Sequence, residues 1–195
     1  MQMRLLPVGP ATASGAGKAH LHLGANSWVY ISRPLPTLAV PNDIDWIVLA
    51  VGGTGFAPAL QLARNWQHKC KLDSISRDSA AGLVPLKNSS AVRLICSSRS
   101  IVEARFYAGI CDNLIKDADS CSVMCTHTVT GKMSEANSDP LFHQGRITAD
   151  MLQDVIPRHG RGYIVVSGPL GFNDHVEKCI KRLGIADECF TVLDA

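Results

Sequence analysis

From Asp45 onward the chain alternates short apolar runs with longer helical patterns, and this alternation restricts its possible folds more than any other feature. "DWIVLAV", "AVRLICS" (Ala91 to Ser97), "CSVMCTHTV" (Cys121 to Val129), "GYIVVSG" and "CFTVL" read as strands. Their near-continuous apolar content is typical of strands covered on both faces. Between them, "APALQLARNWQHKC" reads as a helix with Pro58 in its first turn, where a missing N–H costs nothing. Further helices are expected over Ile101 to Lys116, at "TADMLQDVI" with Thr148 as its cap, and at "FNDHVEKCIKRLG". Such alternation implies parallel βαβ units and a doubly wound, Rossmann-like α/β sheet. The polar stretch 71–90 reads as a long surface loop. Residues 1–44, rich in Gly, Pro, Ala and Ser, carry only one strand-like piece, "SWVYIS", and read as a short N-terminal extension to a domain over 45–195.

Composition removes several functional classes. With 195 residues, 46% hydrophobic and 18% charged, the chain can bury a full core. A net charge of +2 with scattered Lys and Arg disfavours nucleic acid as a partner. No apolar stretch approaches the roughly 20 residues that span a bilayer, so no transmembrane segment is expected. The seven cysteines are odd in number, form no CxxC pair and lie mostly in apolar runs. Reduced buried thiols fit this better than a disulfide framework and point to a reducing intracellular compartment, cytoplasmic or mitochondrial.

Directly behind the first strand comes "VGGTGFAP", residues 51–58. Glycines between a buried strand and a helix allow a close approach to the main chain that side chains would block. In doubly wound sheets, ligands bind beyond the carboxyl ends of the strands, where the strand order reverses. The first N–H groups of the helix, backed by its dipole, suit a pyrophosphate, and Thr54 adds a hydroxyl. A tight strand-to-helix turn with nothing bound would use the same residues. "SGPLGF", Ser167 to Phe172, occupies a second strand end.

The spacing departs from GxGxxG, since Gly53 and Gly55 are followed by Pro58. "VGGTGFAPALQLAR" closely resembles the nicotinamide-nucleotide domain of the ferredoxin-NADP reductase superfamily, in particular its NADH-cytochrome b5 reductase branch. Leu60 and Gln61 match that branch's Leu-Gln pair. "SGPLGFNDHVEKCIKRLG" is similar to the family's CGPxxF/M segment and following helix, and "QGRITADMLQDVIP" to the segment before it. The matches run in order over about residues 45–192.

This resemblance implies a five-stranded parallel sheet that binds NADH or NADPH and presents the nicotinamide to a flavin held by a preceding domain. Gly52, Gly53, Thr54 and Gly55 would hold the pyrophosphate, and Pro58 would start the helix. Ser167, Gly168 and Pro169, with Phe172, would line the nicotinamide pocket, Ser167 replacing the family's usual cysteine beside the reacting carbon. Thr126, at the end of the third strand, matches a family threonine near the cofactor.

The two cofactor forms leave different marks. Asp73 lies about 20 residues beyond the glycines, where a ribose-binding acid is sought, but within the polar stretch. The second strand ends in "SSRS", where Arg99 would meet a 2′-phosphate and Ser98 either ribose form. Arg99 as a solvated loop residue stands equally open. The branch leans to NADH and the local chemistry to NADPH.

Upstream, the family's flavin domain and its Arg-x-Tyr-Ser/Thr motif are not found. "SRPLPTL" (Ser32 to Leu38) resembles the family's last barrel strand and linker. FAD is therefore expected only from a missing or partner domain. Two functions follow: an electron-transfer oxidoreductase component working with a flavin domain or an acceptor protein, or a non-catalytic nucleotide-binding or scaffold module. Cys121, Cys125 and His127 share a strand face and read as core groups rather than metal ligands. Asp174, His175 and Glu177 read as a solvated helix face, and Trp28, Trp46 and Trp66 as packing residues.

Overall fold

A computed structural model describes residues 4–5, 29–30, 40–41, 43–78, 90–118, 121–133 and 140–193. The chain divides into two units, Met1–Val40 and Pro41–Ala195. In the first, β1 (Arg4–Leu5) pairs antiparallel with β2 (Val29–Tyr30), the latter within the expected strand. The linker-like segment 32–38 lies outside the described residues, as do residues 79–89 of the polar stretch.

The second unit is built on six parallel strands: β3 (Trp46–Gly52), β4 (Ala91–Ser98), β5 (Ser122–Val129), β6 (Phe142–Gln144), β7 (Gly162–Ser167) and β8 (Phe190–Leu193). They lie in the order β6-β5-β4-β3-β7-β8. The chain starts at the centre, runs outward through β4, β5 and β6, then returns to the other side of β3. This is the doubly wound arrangement, with its switch point between β3 and β7. Every residue of β3 after Trp46 is buried, as its unbroken apolar run requires.

The sheet has six strands where five were expected. The additional strand, β6, pairs with β5 over three residues, His127↔Phe142 to Val129↔Gln144. It buries only Phe142 at the sheet edge, so no apolar run marks it in the sequence. The helices are α1 (Phe56–Asp78), α2 (Ile101–Lys116), α3 (Ala149–Val155) and α4 (Leu170–Arg182). The first outruns the expected end at Cys70, so Asp73 and the start of the presumed loop are helical. A helix end without an apolar stripe gives no periodic signal.

The helices begin where their caps dictate. Ser100 Oγ accepts from Glu103 N at 3.2 Å to open α2, and Thr148 Oγ1 accepts from Met151 N at 3.2 Å to open α3. One face of the sheet, Val48, Ala50, Ile95, Ile164 and Val166, packs against Leu152 and Val155 of α3 and Val176 and Ile180 of α4. Near β6, Ala104 of α2 packs with Val129 and Phe142. This covering on both sides brings the carboxyl ends of β3, β4 and β7 level, with Gly52 beside Ser97 and Val51 beside Ser167.

Candidate functional site

At the end of β3 the chain makes one 3-10 turn, Gly53–Gly55, before α1 begins at Phe56 with Pro58 in its first turn. The glycines of this turn do different work. Gly53 has φ +53°, a left-handed conformation, and a side chain there would point into open space, its nearest neighbour Pro169 Cγ at 4.0 Å. Gly55 is the opposite case: a Cβ would lie 1.9 Å from the Ser167 carbonyl oxygen. Gly52 and Gly168 make room for the Phe172 ring, which would lie 2.9 Å and 2.5 Å from their added Cβ atoms. The loops after β3 and β7 thus pack backbone to backbone, and Gly53 alone of these four faces free space.

That space is a cavity of about 790 Å³. Gly52, Gly53 and Thr54 form one edge, and Pro169, Gly171 and Phe172 another. Ser97, Ser98 and Arg99 close it at the end of β4. Ser98 is 2% exposed, and its Oγ is buried without a hydrogen-bond partner. A buried hydroxyl left unpaired beside a cavity is a group that a polar ligand satisfies.

The first turns of α2 bring Glu103 and Tyr107 to the cavity. Glu103 Oε2 accepts from Arg99 N at 2.8 Å, which ties the end of β4 to α2. Tyr107 OH lies 3.2 Å from both Gly53 O and Glu103 Oε1 and donates its single proton to one or the other. Partial burial, and after it the Glu103 carboxylate, raises the phenol above its ordinary value, so Tyr107 remains a donor at neutral pH. Its ring stacks on Phe56, centroids 4.3 Å apart. Tyr107→Phe keeps the stack and loses the one hydrogen bond that the hydroxyl donates, to the turn or to Glu103. Thermal unfolding should then fall by about 2–4 °C, the effect of about 1 kcal/mol.

Thr130, Arg146, Ile147 and His175 complete the lining. His175 Nε2 lies 2.7 Å from the Ile147 carbonyl, which can only accept, so Nε2 carries the proton. His175 is therefore a half-buried wall residue and not part of a solvated face.

Of the expected site residues, Gly52, Gly53, Thr54, Ser98, Arg99, Pro169 and Phe172 meet around one cavity. Gly55, Ser167 and Gly168 are buried in the packing between the loops, outside the lining. Pro58 is exposed on α1. Thr126 lies mid-strand, opposite Ile95, and it is Thr130, just past the end of β5, that reaches the cavity. Ser97, Glu103, Tyr107, Thr130, Arg146 and His175 were not anticipated. For Thr130 and Arg146 the signal was position, since both follow the carboxyl ends of strands.

Three solved structures share this arrangement of strands and helices. The Amycolatopsis cytochrome P450 reductase GcoB matches with a TM-score of 0.61 at 20% identity, over 87% of this chain and 44% of that one. The CS-b5R domains of human Ncb5or, in an NAD+ form, match at 0.55 and 15% identity, over 77% and 37%. The cytochrome b5 reductase domain of Ulva prolifera nitrate reductase matches at 0.55 and 16%, over 77% and 49%. At 20% identity or less, these likenesses show a shared fold. The resemblance read in the glycine turn holds at the level of the fold. The chain spans less than half the length of these three structures. No protein-family model matches it, and no curated protein does. Among the described residues, no helix is long and apolar enough to cross a membrane.

Proposed function

We propose that this chain is the nicotinamide-nucleotide module of a flavin-dependent electron-transfer reductase, with the flavin held by another domain or polypeptide. The observation that carries the reading is the Gly53 turn. It combines a left-handed glycine open to the cavity with the start of a 23-residue helix, whose first N–H groups lack acceptors within the helix. A dinucleotide's pyrophosphate fits this cradle, and Ser98 Oγ, buried and unpaired, offers the ribose a partner.

When bound, the dinucleotide supplies a hydride to the flavin. The chain's own residues bind and orient. Gly52 to Thr54 fix the phosphates, Tyr107 holds the Gly53 carbonyl, and Pro169 and Phe172 form the wall against which the nicotinamide is set. Ser167, at 2% exposure and outside the lining, acts as a positioning residue that fixes the start of this wall.

The charge around the ribose end favours NADPH over NADH. Arg99 and Arg146 both line the cavity, and Glu103 is the sole acid among the described residues lining it. Glu103 Oε2 already accepts from Arg99 N, which ties this carboxylate to the end of β4. A 2′-phosphate would find two guanidinium groups in the lining, whereas a ribose diol would find one carboxylate, with one of its oxygens already taken.

Calorimetric titration of the full chain with NADPH and NADH tests the reading. Micromolar binding of either supports it, and no heat from either at millimolar concentration overturns it. Arg99→Ala should weaken NADPH by about tenfold or more and NADH by less than about twofold. Equal losses would remove Arg99 from 2′-phosphate recognition. FAD taken up by the isolated chain would overturn the assignment of the flavin to another domain.

A further inference from the structure

The two guanidinium groups of the cavity arrive on separate segments. Arg99 directly follows β4, whereas Arg146 comes after β6, an edge strand of three residues that buries only Phe142. So short a strand gives the residues after it little support of its own. The support comes from Gln144, the last residue of β6. Its Nε2 donates to Gly131 O at 2.7 Å and to Val129 O at 3.3 Å, and its Oε1 accepts from Met133 N at 3.0 Å. A side-chain amide has two N–H groups and a carbonyl, so all three bonds stand together.

The loop gripped in this way, 129–133, leans in turn on the end of β4. Thr130 donates to Ser98 O twice, from N at 2.9 Å and from Oγ1 at 3.1 Å. Gly131 passes so near that an added Cβ would lie 2.2 Å from Arg99 O. On the other side of Gln144, Gly145 takes a left-handed φ of +114° and its N donates to Val129 O at 2.8 Å. Ile147, 1% exposed, is held beyond it by His175. Arg146 thus stands between two fixed points, and one of them runs through the 129–133 loop to the backbone of Ser98 and Arg99. Gln144 itself is exposed and outside the lining.

We propose that Gln144 is a positioning residue that keeps the Arg146 segment in register with Ser98 and Arg99, and so sets the preference for a nucleotide carrying a 2′-phosphate. The identity of that ligand rests on the function proposed above. A phosphate shared by two arginines needs both forks in fixed places, and a rotamer-rich side chain left loose must be ordered on binding. The pyrophosphate does not depend on this brace. Gly52 to Thr54 belong to the end of β3 and the turn before α1, far from Gln144 in the chain and tied by Tyr107 instead. Loss of the brace therefore falls on NADPH and spares NADH. The buried core is untouched, because the Gln144 side chain is exposed.

The test compares the full chain with Gln144→Met, which keeps the side-chain length and loses all three bonds. Calorimetric titration should show NADPH weakened by about tenfold and NADH by less than about twofold, with thermal unfolding lowered by no more than about 4 °C. Without nucleotide, hydrogen exchange over residues 130–133 should quicken by about tenfold or more. Arg146→Ala should weaken NADPH about as much. Adding Gln144→Met to it should cost less than about twofold more, the coupling expected of a residue that acts through Arg146. Gln67→Met removes a comparable bond away from the cavity, from Gln67 Nε2 to Leu114 O at 2.8 Å, and should leave the ratio of the two affinities unchanged. Equal losses for the two nucleotides, additive losses in the double variant or unchanged exchange at 130–133 overturn the positioning role. A wild-type chain that binds neither nucleotide overturns the proposed function and this role with it. Binding by the wild type with an unchanged affinity ratio in Gln144→Met overturns this role alone.

Discussion

Gly53→Val is expected to abolish nucleotide binding while leaving the chain folded. Two effects act at this position and have to be told apart. The left-handed φ of +53° is strained for any side chain, at a cost of about 1–2 kcal/mol, or about 2–8 °C in thermal unfolding. The second effect is local: the branched methyls project toward the cavity, where the nearest neighbour of an added Cβ is Pro169 Cγ at 4.0 Å, into the space assigned to the pyrophosphate. Gly184→Val provides the comparison. Gly184 has φ +72° with nothing within 4 Å, and it closes the end of α4 by donating to Lys181 O. Both variants should lose similar stability, but only Gly53→Val should lose affinity, by about a hundredfold or more in calorimetric titration. If a folded Gly53→Val chain binds as tightly as the wild type, the phosphate does not sit on this turn.

The reason this turn could be read from sequence is that its chemistry is local. A glycine pair behind a buried strand and ahead of a helix sets backbone conformation within a few residues, and Pro58 and the apolar run of β3 frame it. Gly52, Gly53, Thr54, Ser98 and Arg99 stand at or just past the ends of β3 and β4, where the same rule looks, and all of them line the cavity. What escaped was non-local. Tyr107 enters the cavity because α2 lies beside the turn, 54 residues away in sequence, and an amphipathic helix shows no sign of which polar residue points at a neighbouring loop. His175 was assigned to solvent because its helix has a polar face. Its proximity to Ile147 O depends on how α4 meets the segment before α3. Thr126 came from the family resemblance alone; it lies mid-strand opposite Ile95, while Thr130, just past the end of β5 at Val129, lines the cavity. The edge strand β6 was invisible for a related reason, since three residues with one buried side chain make no period. Even the glycines were legible only as a group, because nothing in "GGTG" separates the residue that faces the cavity from the one that touches another loop.

Gly55→Ala separates them by experiment. A single methyl here would meet Ser167 O at 1.9 Å, Ser167 C at 2.2 Å and Gly168 N at 2.7 Å, all backbone atoms of a neighbouring loop. No side-chain rotation relieves such a clash, so the loops after β3 and β7 must move apart. That opens the packing of Gly52 and Gly168 around Phe172 as well. The expected cost is about 3 kcal/mol or more, a fall of about 6–12 °C in thermal unfolding for a domain of this size. Gly109→Ala is the counterpart within the same unit. Gly109 is exposed on α2 with nothing within 4 Å, so the methyl adds helix propensity at no steric cost and should stabilise by about 0.5–1 kcal/mol. The two changes add the same methyl and should move the unfolding temperature in opposite directions. If Gly55→Ala unfolds at the wild-type temperature, the two loops are not in contact at the switch point, and the cavity walls described for Pro169 and Phe172 lose their foundation. If it unfolds early yet still binds nucleotide when folded, Gly55 is a packing residue and the pyrophosphate is held by Gly53 and Thr54 without it.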